Sequence, residues 1–144
     1  MKFVEKEFKF FPIGFLRTKE TQIPRHWSCS EVEGEIHIEK KFEKGLTGIK
    51  KGDKIVVLFI FHKSPPFSLE KLLQTPPTKT SPTGVFNTCS PHRPNPIGLS
   101  VLEVLEIKDN IIKVKRVDMF DGTPIIDIKP FKAYQQEEHQ KEEQ

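Results

Sequence analysis

The run Ile55–Phe61, reading Ile-Val-Val-Leu-Phe-Ile-Phe, constrains this chain more than any other segment. Gly52-Asp53 bounds it on one side and Pro65-Pro66 on the other. It is too short for a core helix and rich in β-branched side chains, so it reads as a strand. Its unbroken apolar pattern predicts burial on both faces. The segments around it carry the same signature. Residues 32–38 alternate, with Val32, Gly34, Ile36 and Ile38 on one face of a half-buried strand. Val101–Ile107 and Ile111–Val117 flank Lys108-Asp109-Asn110, a hairpin connection. Asp121-Gly122 is a turn ahead of Pro124-Ile125-Ile126-Asp127-Ile128. Helix signals are confined to Ser68–Gln74, where Ser68 is expected to cap one or two turns. Short strands separated by turns predict an all-β fold: a single-domain small β-barrel over residues 1–134.

The connection from His62 to Gly84 breaks this rhythm. It holds Pro65, Pro66, Pro76, Pro77 and Pro82, and a loop of that length in a compact domain is expected to be functional or disordered. Residues 135–144 are polar with no apolar face, and are expected to form a disordered tail. That tail carries four Glu and one Lys, so the net charge of +3 conceals a moderately basic body. Such a charge suits nucleic acid without requiring it. No apolar run approaches the roughly 20 residues that span a bilayer, so no membrane partner is expected. Two cysteines, Cys29 and Cys89, make no disulfide framework, and a cytoplasmic location follows by default.

Residues 90–100 read Ser-Pro-His-Arg-Pro-Asn-Pro-Ile-Gly-Leu-Ser. Pro91, Pro94 and Pro96 fix their own φ and push the residues before them into extended backbone. The missing N–H groups exclude a central strand. A stiff surface segment therefore holds His92, Arg93 and Asn95 with little entropy left to lose on binding a ligand. Gly98 would permit a turn or a close approach of ligand. The same stiffness would serve a plain barrel connection, and the residues alone leave both readings open.

This segment closely resembles the signature of the TsaA/TrmO-like methyltransferases. Further matches run in order: Pro12-Ile13-Gly14, Pro24-Arg25, Phe61-His62, and Asp-Gly-Thr-Pro-Ile-Ile-Asp-Ile-Lys-Pro at 121–130. The resemblance implies a β-barrel, usually dimeric, that binds S-adenosyl-L-methionine. It also implies N6-methylation of threonylcarbamoyladenosine next to the anticodon of tRNA. In keeping with this, no Gly-x-Gly-x-x-Gly follows a strand. The resemblance places the cofactor on Pro24, Arg25, His26, Phe61, His62, Cys89, Leu99, Asp121, Gly122, Thr123 and Pro124. Phe61 and Leu99 would sandwich the purine, Asp121 would accept from hydroxyl or ammonium, and an Arg would pair with the carboxylate. Arg93 and Asn95 would face the tRNA substrate. The family commonly has Arg where this chain has Cys89 and Gln where it has His26; Arg25 or Arg93 would have to compensate. An extra C-terminal domain found in some bacterial relatives is not expected.

The target nitrogen is a poor nucleophile until it loses its proton, and His62 and Asp121 are the candidate bases. His62 could equally cap the end of its strand. Two alternatives stand beside this reading. His26-x-x-Cys29 and Cys89-x-x-His92 would together form a Cys₂His₂ zinc site in a binding module, whereas the leading reading has no metal. A cofactor-binding protein or methyltransferase with a substrate other than tRNA is the other.

Overall fold

The computed structural model describes residues 6–131. Its strands are β1 (Gly14–Arg17), β2 (Glu33–Ile38), β3 (Lys54–Ile60), β4 (Leu73–Gln74), β5 (Thr83–Gly84), β6 (Ile97–Lys108), β7 (Ile111–Lys115) and β8 (Pro124–Pro130). Six of them close into an antiparallel barrel in the order β1-β2-β7-β6-β3-β8, while β4 and β5 form a separate ribbon. The expected all-β barrel is therefore observed. The expected tail at 135–144 lies outside the described residues. Among those residues no helix is long and apolar enough to cross a membrane.

Alternation fills the barrel. Leu16, Ile36, Ile55, Val57, Phe59, Leu102, Val104, Ile112, Val114 and Ile125 point inward and are buried. The expectation that the Ile55–Phe61 run is buried on both faces is corrected. Ile55, Val57 and Phe59 are buried, but Val56, Leu58 and Ile60 are only partly so. A closed barrel has one interior, and no layer covers the outside of β3. There Leu58 pairs with Leu99 and Ile60 with Ile97, leaving an apolar stripe on the outer surface. Leu99 is 53% exposed within it.

The proline-rich segment ends where β6 begins. Pro96 lacks an N–H, but its carbonyl accepts from Phe61 N at 2.8 Å, so the prolines lead directly into a paired strand. Gly98 is thus a buried strand position rather than a turn or ligand approach. A Cβ there would lie 2.3 Å from the ring of Phe59, so glycine makes room for an aromatic core residue. Around 68–74 the helix is a single 3₁₀ turn, Leu69–Leu72, and the Ser68 side chain does not cap it. β4 follows at once, so the long connection carries a small ribbon of its own.

Register gives the barrel two distinct ends. The connections 39–53 and 109–110 close one. There a 3₁₀ turn, Lys40–Leu46, buries Leu46, and Phe42 and Ile49 pack on the core. A recess of about 400 Å³ lined by Ile13, Ile38, Phe42, Leu46 and Ile49 opens at this capped end. The connections 18–32, 61–96 and 116–123 all leave from the other.

Candidate functional site

The residues expected to bind cofactor or substrate lie on those three connections or on the strand positions next to them. Pro24, Arg25 and His26 belong to the first; Phe61, His62, Cys89, Arg93 and Asn95 to the second; Asp121, Gly122 and Thr123 to the third. Leu99 is the third residue of β6, and Pro124 opens β8. Hydrogen bonds join the connections. Asp121 Oδ1 accepts from Thr18 N at 3.0 Å and lies 3.4 Å from Arg17 Nε. Gly122, at φ +83°, donates its N–H to Leu16 O at 2.8 Å. Ser30 Oγ donates to Val117 O at 2.5 Å. Lys63 Nζ sits 4.9 Å over the ring of the exposed Phe120, which ties the end of β3 to the 116–123 turn.

Individual roles divide. Thr123 is buried and its hydroxyl closes the turn onto Phe120 O at 2.7 Å. Its backbone N–H and C=O are also spent, on Phe120 O and Leu16 N, so it shapes the turn. The Asp121 side chain is about half exposed. The imidazole of His26 caps the 3₁₀ turn Trp27–Cys29. Its Nδ1 accepts from the Ser28 N–H at 3.2 Å and lies 2.6 Å from Ser28 Oγ. Arg93 Nη1 donates to Thr88 O at 3.0 Å and Ser90 O at 3.1 Å, bracing its own loop and leaving its other N–H groups available. His62, Arg25, Cys89 and Asn95 are exposed. Phe61 packs edge-on against the inward-facing Phe59, ring centroids 5.1 Å apart. Leu99 faces outward on β6, paired with Leu58 of β3.

Among the described residues no group of three or more His, Cys, Asp and Glu side chains is placed to hold a metal ion. His26 and Cys29 are instead engaged locally, Cys29 Sγ donating to His26 O at 3.2 Å.

Sequence reasoning missed Asp118. Its carboxylate accepts from Ser100 Oγ on β6 at 2.5 Å. Burial pushes its pKa up, against the opposing pull of Ser100, His26 and Trp27. The available signal was its place three residues before Asp121. Alternation with the buried Val117 and Met119 gives no hint that its carboxylate reaches Ser100 on β6.

A closed antiparallel barrel with polar connections gathered at one end is a class of fold distinct from the doubly wound sheets that hold nucleotides at a glycine-rich turn. The chain belongs to the tRNA-methyltransferase O N-terminal domain family, which it matches over residues 16–137. An S-adenosyl-L-methionine-binding protein of Archaeoglobus fulgidus is 41% identical over 123 residues, covering 83% of this chain and 86% of that protein. The human tRNA (adenine(37)-N6)-methyltransferase is 35% identical over 130 residues, covering 85% of this chain and 30% of the enzyme. TrmO from Pseudomonas aeruginosa has a crystal structure that matches with a TM-score of 0.69 at 30% identity, covering 88% of this chain and 56% of that one.

Proposed function

We propose that this protein is an S-adenosyl-L-methionine-dependent methyltransferase that acts on tRNA, methylating N6 of threonylcarbamoyladenosine next to the anticodon. One observation carries the reading: three connections from separate parts of the chain meet at one barrel end, with the expected contact residues on them. The available groups fit the cofactor. His26 offers an Nε2–H and Arg25 and Arg93 offer guanidinium donors for its carboxylate. Asp121 offers an acceptor for hydroxyl or ammonium, and Phe61 offers apolar surface for the purine. When bound, the cofactor supplies the methyl group. The chain supplies alignment of the target nitrogen and acceptance of its proton. Of the two candidate bases, Asp121 is the one held in place, by Thr18 N and Arg17. Phe120 beside it presents an exposed ring under the Lys63 ammonium, a suitable stacking face for an unstacked base.

The protein works, on this reading, as a homodimer in the cytoplasm. The outer stripe of Leu58, Ile60, Ile97 and Leu99 supports the dimer, because a second copy would cover it. Incubation with methyl-labelled cofactor and threonylcarbamoylated tRNA, followed by mass spectrometry of the nucleosides, tests the activity. A methylated nucleoside is expected; cofactor binding without transfer to any tRNA would defeat the reading.

A further inference from the structure

Three segments must keep a fixed geometry for the proposed cofactor site to exist, and one half-buried side chain lies where they meet. Asp118 belongs to the connection that continues into Asp121-Gly122-Thr123-Pro124. Its carboxylate receives the Ser100 hydroxyl at 2.5 Å, one residue from Leu99. The backbone N–H of Trp27, one residue from His26, faces it and helps to hold its pKa down. A carboxylate is the suitable group for this junction, because it accepts from several donors at once and charge strengthens each bond. We propose that Asp118 is the positioning residue of the cofactor site, its ionised carboxylate locking the 24–26 segment and the Leu99 strand to the Asp121–Pro124 turn. The inference rests on the cofactor reading above.

The locking has a cost that separates it from an ordinary structural contact. Burial raises the pKa of Asp118 despite its hydrogen bonds, so the ionised form costs more here than it does in water. His26 is the titratable group facing it from the 26–29 turn, while β6 presents the Ser100 hydroxyl. A role in stability alone does not account for that cost; a role in holding the Ser100 hydroxyl and the turn at 121–124 in register does.

The test is calorimetric titration of the full chain with S-adenosyl-L-methionine between about pH 4 and pH 8, alongside urea unfolding. Asp118→Asn is expected to bind roughly tenfold more weakly at neutral pH, with stability equal to or above that of the parent. The parent should lose affinity on acidification as Asp118 takes up its proton, and Asp118→Asn should lack that loss. Ser100→Ala removes a bond that holds the pKa down, so its loss of affinity should set in at higher pH. In a His26→Gln background the same loss should persist, assigning it to Asp118. Parent-like affinity and pH profile in Asp118→Asn would overturn the proposal, as would weaker binding matched by an equal loss of stability. If Asp118→Asn does not fold, an unshifted profile in Ser100→Ala overturns it instead. A parent chain that binds no cofactor at all would remove the site reading itself, on evidence involving no substitution.

Discussion

The two ends of this barrel are built from different materials. At the capped end, Leu46, Phe42 and Ile49 close the core with hydrocarbon. The turn Asp109-Asn110 is stitched to β2 by Asn110 Nδ2 donating to Ile38 O at 2.6 Å and Ile38 N donating to Asn110 O at 2.9 Å. At the other end, closure is polar and crosses between connections, through Ser30 to Val117, Thr18 to Asp121, and Ser100 to Asp118. Hydrocarbon closure contributes stability and little specificity; polar closure contributes little net stability and fixes geometry. The division says where substitutions should register as melting and where they should register as lost function.

The largest expected effect lies at the capped end. Leu46→Ala should cost about 2–4 kcal/mol, because it empties a nearly buried site under the 3₁₀ turn. Cofactor affinity should not follow. Urea unfolding and calorimetry on the same preparation check both halves, and a matching fall in affinity would dissolve the distinction between the ends. Next comes Asp121→Ala, expected to weaken cofactor binding about tenfold or more, equivalent to about 1.4 kcal/mol. Its pair with Arg17 is half exposed, so stability should change by less than about 1 kcal/mol. Unchanged affinity would take Asp121 out of the site.

The sequence disclosed the two ends unequally. The strand runs 32–38, 55–61 and 111–117 are long enough for alternation to register, and the barrel follows from them. β1 spans four residues, too few for a period to show, and becomes a strand only because β2 and β8 pair with it on both sides. The first residues of β6 sit behind three prolines, whose local restrictions say nothing of the partner waiting in β3. At the functional end the motif residues were legible as a set, but not their division of labour. That Thr123 turns inward, that His26 caps Trp27–Cys29, and that Arg93 braces carbonyls of its own loop depend on contacts along backbone the sequence does not draw. Asp118 was illegible for the same reason. Its partners are 18 residues away on β6 and far upstream at Trp27.

Asp118 also predicts a pH term in stability opposite in sign to its proposed effect on binding. Its folded pKa is raised, and an unfolded Asp titrates near 3.9. Between those two values the folded chain holds a proton that the unfolded chain has released. Stability from this group is therefore greatest below the unfolded value and is lost as pH climbs through the folded one. Asp118→Asn has no such term. The difference in unfolding free energy between parent and variant, followed by urea titration as pH rises, should shift steadily against the parent. A difference that is flat with pH would mean that Asp118 titrates alike in both states.

The smallest effect sharpens the contrast at the level of single backbone angles. Each end contains one non-glycine residue in the left-handed region, Asp109 at φ 55° and Arg116 at φ 74°. Asp tolerates that conformation, since its short side chain bonds locally, and it belongs in a two-residue hairpin turn. Arginine gains nothing there. Arg116 in addition buries its Nε without a hydrogen-bond partner. Replacing it with glycine relieves both the steric cost of a Cβ at positive φ and the unsatisfied donor, against the loss of side-chain packing beside Trp27. The expected net gain is about 1 kcal/mol for Arg116→Gly and a few tenths at most for Asp109→Gly, read as a difference in urea midpoint at constant slope. Cofactor affinity should be unchanged in both, because neither residue is among the proposed contacts. If Arg116→Gly is no more stable but binds cofactor or tRNA more weakly, the strain at the loop end serves a ligand, and the strained arginine joins the site.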